Sequence, residues 1–186
     1  LNRRNSGDMT RTVAPLGRLL IDQCPVDLPV AFGAQGLPRD WNAFHTDVKS
    51  LCARLARLGG SRWLIAEDDA YGLAVSVFAT LHAGGQAVLP ANLQSGHLAD
   101  LASTVDGVIA DAASLPDGID AIPLFDTGGD DEGMGLAPLD NDSAKIVLHT
   151  SGTTGKPLAI HKPLRCLDAE VSALEATFGD RLSGVA

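Results

Sequence analysis

The chain is poor in aromatics, cysteine and positive charge, and it lacks long hydrophobic runs. Aromatic residues are 4% of its 186 residues, so any core must be built from aliphatic side chains. Its three cysteines, Cys24, Cys52 and Cys166, are widely spaced and odd in number. With no Cys-x-x-Cys or Cys/His ligand pattern, they exclude a disulfide framework and structural zinc and predict a reducing, cytoplasmic setting. Lys and Arg number 14 against 23 Asp and Glu, a formal charge of −9. Such a surface repels nucleic acid and anionic membranes, so a polyphosphate ligand would need local backbone donors and metal ions. The nearest approach to a membrane span, Leu73 to Pro90, is broken by His82, Gly84, Gly85 and Gln86, whereas a span needs about 18 uninterrupted apolar residues. Residues 1–8 carry two arginines without an apolar core behind them, which is not a signal peptide. Met9 is a candidate natural start.

What is present is an ordinary globular balance, 45% apolar and 20% charged, long enough for one sizeable domain. Strand and helix patterns alternate, predicting an α/β fold. Pro29 to Gly33 reads as a strand. Trp41, Phe44, Val48, Leu51, Leu55 and Leu58 step by three or four, predicting a helix over 41–58 with Asp40 as N-cap, Gly59-Gly60 as its stop and Trp41 as a core anchor. Arg62 to Ala66 is the next strand. Acidic residues at 67–69 open a helix over 70–83 whose apolar residues lie all round it, predicting burial between layers. Gln86 to Pro90 and Gly107 to Ala110 read as strands, with a short helix between them capped by Ser95. Ala121 to Phe125 is a candidate fifth strand. Residues 126–143 are acidic, glycine-rich and aperiodic, predicting an exposed loop. Asp130, Asp131 and Glu132 there lack the spacing of a calcium loop, so no metal site is assigned. Pro163 suits the first turn of a last helix, with Leu164, Leu167, Val171, Leu174 and Phe178 as its buried stripe. A further strand begins near the end, at 182–186.

Between the apolar run Lys145 to Leu148 and that helix stands His149 to Leu158, "HTSGTTGKPL". It has almost nothing to bury. Glycines let the main chain approach a ligand closely, successive N–H groups form an anion nest, hydroxyls add donors that reorient, and lysine adds a mobile charge. This is polyphosphate chemistry. A Walker A loop would need glycine where Thr150 stands and a hydroxyl where Pro157 stands, and the Rossmann glycine pattern is absent. The histidines, His45, His82, His97, His149 and His161, are assigned no chemistry.

The stretch resembles the loop of the AMP-forming adenylating enzymes: acyl- and aryl-CoA synthetases, peptide-synthetase adenylation domains and luciferases. Their pattern is roughly Thr-Ser-Gly-Ser/Thr-Thr-Gly-x-Pro-Lys, which Thr150, Ser151, Gly152, Thr153, Thr154, Gly155 and Pro157 match in register. The order of upstream elements is similar, so the resemblance spans Trp41 to Phe178. It implies the N-terminal subdomain portion of the acyl-adenylate-forming synthetase fold, a sheet flanked by helices, over 29–186, preceded by an extension over 1–28. It implies ATP held at Thr150, Ser151, Gly152, Thr153, Thr154, Gly155 and Lys156 and attacked by a carboxylic acid. Magnesium ligands and catalytic residues would lie outside the chain. The acyl acceptor would be coenzyme A or the phosphopantetheine of an acyl carrier protein. Two departures stand out: Leu158 replaces the family's lysine, leaving Lys156 and Lys162 as nearby cations, and the family's later motifs are not matched. The chain is therefore expected to be inactive alone. A degenerate, non-catalytic or interaction module of the same fold is the alternative, and a phosphate-binding module of another fold the third reading.

Overall fold

The computed structural model describes residues 14–22, 24–32, 38–111, 115–125, 135–150 and 158–182, with residues 180–182 described by backbone only. Strands β1 (Pro29–Phe32) and β2 (Pro38–Asp40) pair antiparallel as a separate ribbon. Helix α1 (Trp41–Leu58) follows directly. Its cap is as expected: the Ala43 amide donates to Asp40 Oδ1 at 2.8 Å, and Gly59 ends it with φ 69°. Strands β3 (Arg62–Ile65), β4 (Gln86–Leu89), β5 (Gly107–Ile109), β6 (Ala121–Ile122), β7 (Lys145–Thr150) and β8 (Leu158–Pro163) form the main sheet. Its spatial order is β6-β5-β3-β4-β7-β8, parallel except for β8, which pairs antiparallel with β7. Helices α2 (Ala70–His82), α3 (Ser95–Ala102) and α4 (Leu164–Leu182) complete the fold.

Alternation along the strands separates two cores. Trp63, Ile65, Ala87, Ile109 and Ile146 meet Phe44, Val48, Leu51 and Leu55 of α1 and Tyr71, Val75 and Ala79 of α2. On the opposite face Leu64, Val88, Val108 and Val147 meet Leu98 and Leu101 of α3. No residue of α2 after Ala70 is exposed, as its all-round apolar sequence requires. Trp63 is sealed among glycines: a Cβ on Gly107 would come within 2.7 Å of its ring, one on Gly85 within 2.9 Å and one on Gly60 within 3.0 Å. Trp41 is half-buried, 5.7 Å from the Phe44 ring.

Several expectations need correction. Ser95 is the first residue of α3 rather than its cap; Gln94 holds that position without a side-chain bond. Pro163 ends β8 instead of opening α4, a place where an edge strand tolerates its missing N–H. The strand at 121–125 is only Ala121–Ile122, because the carbonyls of Pro123 and Leu124 turn to accept hydrogen bonds from Arg54, at 2.7 Å each. The stripe of α4 is only half covered. Leu164 is buried and Leu167 packs on the first core, but Leu174 and Phe178 stay 58% and 44% exposed. Periodicity selects a face, and the described residues give the far half of this one no partner.

The segment before β1 docks on the same body. Leu20 is buried in the first core, the Leu16 amide donates to Asp168 Oδ1 of α4 at 2.7 Å, and the Leu139 amide donates to the Gly17 carbonyl at 2.8 Å. Leu136 packs on that core too, while residues 126–134, with the acidic trio at 130–132, and 183–186, with most of the anticipated last strand, lie outside the described residues. Among the described residues the three cysteines are free thiols, and no helix is long and apolar enough to cross a membrane.

Candidate functional site

The glycine- and hydroxyl-rich loop leaves the sheet at the carboxyl end of β7, a parallel strand paired with β4 from Ala87↔Ile146 to Leu89↔Leu148. That edge of an open α/β sheet is where ligands usually bind, since the chain turns there without having to continue the ladder. The β7–β8 ladder runs unbroken from Lys145↔Pro163 to Thr150↔Leu158. Both ends of the loop are therefore fixed opposite each other by the last rung of a hairpin. Ser151, Gly152, Thr153, Thr154, Gly155 and Lys156 lie outside the described residues. Thr150 is the one candidate site residue described: it is half-buried, and its hydroxyl faces the Leu158 carbonyl across the mouth at 3.5 Å, a long contact.

The cations near the loop differ in availability. Leu158, where the resemblance would put lysine, opens β8 with 62% of its surface exposed. Lys162 is opposite Ile146, about 13 Å along the strand from the mouth at the usual rise per residue. Its ammonium donates to Glu170 Oε1 of α4 at 2.5 Å. Lys162 is thus engaged away from the loop, with Glu170 as its partner.

Histidines crowd the α3 side of the same edge. His149 faces that side by alternation with Val147, and its ring lies 6.4 Å from that of His97, edge to face. Both ring nitrogens of His149 are out of water and, among the described residues, without a hydrogen-bond partner. Burial first, and then His97, Arg62 and His161, hold its pKa below the ordinary histidine value. His97 Nε2 accepts from the Ala91 amide at 3.3 Å, tying α3 to the turn after β4.

Further along the edge a cavity of about 350 Å³ is lined by Glu67, Asp68, Asp69, Asp111, Leu124 and Phe125. Burial, and then Asp68, Asp111 and Asp69, push the Glu67 carboxyl up to about 7. Its Oε1 is buried and, among the described residues, without a partner, while its Oε2 would stand 3.0 Å from a Cβ on Gly72 of α2. The sequence marked 67–69 only as residues favourable at a helix start, a role Asp69 does fill by accepting from the Gly72 amide at 2.8 Å. That Asp111 and Phe125 would join them depends on the order of β3, β5 and β6, which no local pattern encodes. Among the described residues no group of three or more His, Cys, Asp or Glu side chains is disposed to hold a metal ion.

No family model and no curated protein sequence matches the chain. Solved structures do. MatB from Rhodopseudomonas palustris, crystallised with ATP bound, superposes with a TM-score of 0.68 at 19% identity, over 87% of this chain and 37% of that one. The nonribosomal peptide synthetase FmoA3 in its AMPPNP-bound form gives 0.63 at 19% identity, over 82% of this chain and 17% of that one. The O-succinylbenzoate coenzyme A synthetase MenE from Bacillus subtilis, in complex with AMP, gives 0.58 at 20% identity, over 78% and 42%. The chain thus spans between a sixth and two fifths of the length of these proteins, and at such identities the likeness is one of fold. All three are AMP-forming adenylating enzymes, and the helix-flanked sheet described here is similar in fold to the N-terminal domain of such adenylate-forming synthetases.

Proposed function

We propose that this chain supplies the ATP phosphate-binding loop of a ligase that activates a carboxylic acid as its acyl-adenylate. One observation carries the reading: a loop rich in amides, hydroxyls and glycine joins two paired strands at the carboxyl edge of an adenylating-enzyme fold. Backbone amides from Ser151 to Gly155, with the hydroxyls of Thr150, Ser151, Thr153 and Thr154, hold the β- and γ-phosphates, and Lys156 adds positive charge. A substrate carboxylate oxygen then attacks the α-phosphorus. The bond to the β-phosphate bridging oxygen breaks, and pyrophosphate leaves with the electron pair. The loop's contribution is electrostatic: amide and hydroxyl donors offset the negative charge that grows on the leaving group.

In the second half-reaction a thiol of coenzyme A, or of a carrier protein's phosphopantetheine, attacks the acyl carbon and displaces AMP. Both acceptors have parallels among the structural neighbours, MenE being a coenzyme A synthetase and McyG an adenylation domain joined to a carrier domain. Magnesium, implied by the resemblance, finds no matching donor set among the described residues, and no step here is assigned to it. A cytoplasmic setting belongs to the same proposal, as does the dependence of turnover on further sequence of a longer protein.

The engagement of Lys162 with Glu170 and the exposed Leu158 favour a second reading, a non-catalytic member of the same fold. Pyrophosphate release by the full-length protein, with ATP, magnesium and a panel of carboxylic acids, separates the two. Carboxylate-dependent release that drops roughly a hundredfold in Thr153→Ala supports the ligase, with a smaller loss in Lys156→Ala. A folded protein that releases none with any acid supports the second reading.

A further inference from the structure

Three features at the carboxyl end of β7 point in one direction. First, the Ala91 amide hydrogen is aimed at His97 Nε2. That bond requires a lone pair there; a proton on Nε2 would set two donors against each other. Second, half-buried His149 packs edge to face on the same ring, 6.4 Å between centroids, with both of its nitrogens out of water and, among the described residues, without an acceptor. A charge on that ring would be buried and unpaired, which is costly in a medium that cannot solvate it. Third, the other groups acting on His149, Arg62 from β3 and His161 from β8, are cationic or become so on protonation. They push in the same direction as His97. The pair therefore joins the turn after β4 that contains Ala91 to the end of β7 by a contact that a charge on His149 would disfavour.

We propose that His97 and His149 are positioning residues, a charge-gated latch that holds the carboxyl end of β7 in register with the β4–α3 turn only while the His149 ring is neutral. Its consequence for ATP, an acid limb in nucleotide affinity, rests on the function proposed above; the latch itself does not. Acidification opens it. With His149 resisting a proton in the latched state, each proton taken up favours the unlatched one, so latching is complete above the ordinary histidine range and is lost as the pH falls through and below it.

The test is amide hydrogen exchange at Leu148, His149 and Thr150 in the full-length protein, corrected for the intrinsic chemical rate, alongside binding of ATP. The variants are His149→Phe, which keeps a ring but removes both nitrogens, and His97→Gln, which keeps an acceptor for Ala91 but removes the ring that His149 packs on. Wild-type protection at these amides should fall about tenfold between about pH 7.5 and about pH 5.5, while protection in β3 is unchanged; in either variant that still folds, the fall should be less than about twofold. The same pH-dependent loss in wild type and variants, or no loss in any of them, overturns the latch. If the exchange pattern is as expected but ATP fails to bind at either pH, the latch stands and the nucleotide reading falls. If ATP affinity follows the wild-type exchange profile and becomes pH-independent in the variants, both stand.

Discussion

Helices α1 and α4 are nearly the same length, 18 and 19 residues, and both carry apolar residues at intervals of three and four. In α1 that stripe is closed as far as Leu55: Val48 and Leu51 have no exposed surface and Leu55 has 1%, while Leu58, expected to share the buried face, is 62% exposed at the helix end. In α4 the stripe starts buried at Leu164 and is open by Leu174 and Phe178. The difference is in what each helix meets. Helix α1 runs against α2 over the center of the sheet, where β3 and β4 supply Trp63 and Ala87. Helix α4 follows the edge strand β8, whose Leu158 and Ile160 are themselves exposed. A repeating pattern therefore reports which face a helix will bury, and the neighbouring strand decides how much of it.

Stability measurements on the two stripes give the sharpest contrast. Leu51→Ala should cost about 2–5 kcal/mol, since the removed atoms leave a cavity in a closed core, whereas Leu174→Ala should stay within about 0.5 kcal/mol. Equal losses in denaturant unfolding would erase the distinction. A smaller effect probes how tightly the α1/α2 face is packed. Gly107→Ala would bring a methyl group within 2.7 Å of Trp63, and overpacking of this kind costs about 1–3 kcal/mol; a neutral result would mean that the indole has room to shift. The smallest effect is expected at the rim of that face. Glu67 has a folded-state pKa raised from 4.5 to about 7, so the folded state holds a proton that the unfolded chain releases. Its stability is least perturbed below about pH 4.5 and declines as the pH rises from there through about 7. Glu67→Gln should accordingly raise Tm at pH 8 and leave it unchanged near pH 4; a lower Tm at pH 8 would show that the carboxylate has a partner.

Much of the fold was legible because local chemistry and tertiary environment agree. Asp40, the apolar steps of α1 and Gly59 define the helix from both ends, and the short apolar runs at 62–66, 86–90, 107–110 and 145–148 all become strands. Where the two diverge, reading fails. Pro38–Asp40 forms a strand only because β1 lies beside it. Arg54, on the side of α1 next to its core stripe, is buried because two carbonyls at 123 and 124 accept its guanidinium protons. The site divides in the same way. The loop from Thr150 to Pro157 declares its chemistry in its composition, while the approach of His97 to His149 and of Asp111 to Glu67 arises from strand order and leaves no local trace.

The hairpin that bounds the loop also bears on how the site assembles. Pairing β7 with β8 closes only the seven residues from Ser151 to Pro157, whereas pairing β7 with β4 must close about sixty, a difference in chain entropy of about 2 kcal/mol by the logarithmic scaling of loop closure. The hairpin can therefore form from its own neighbourhood and dock later as a unit, its register already set by six rungs. The stretch expected to grip phosphate would then be tethered at both ends before the sheet that orients it is complete.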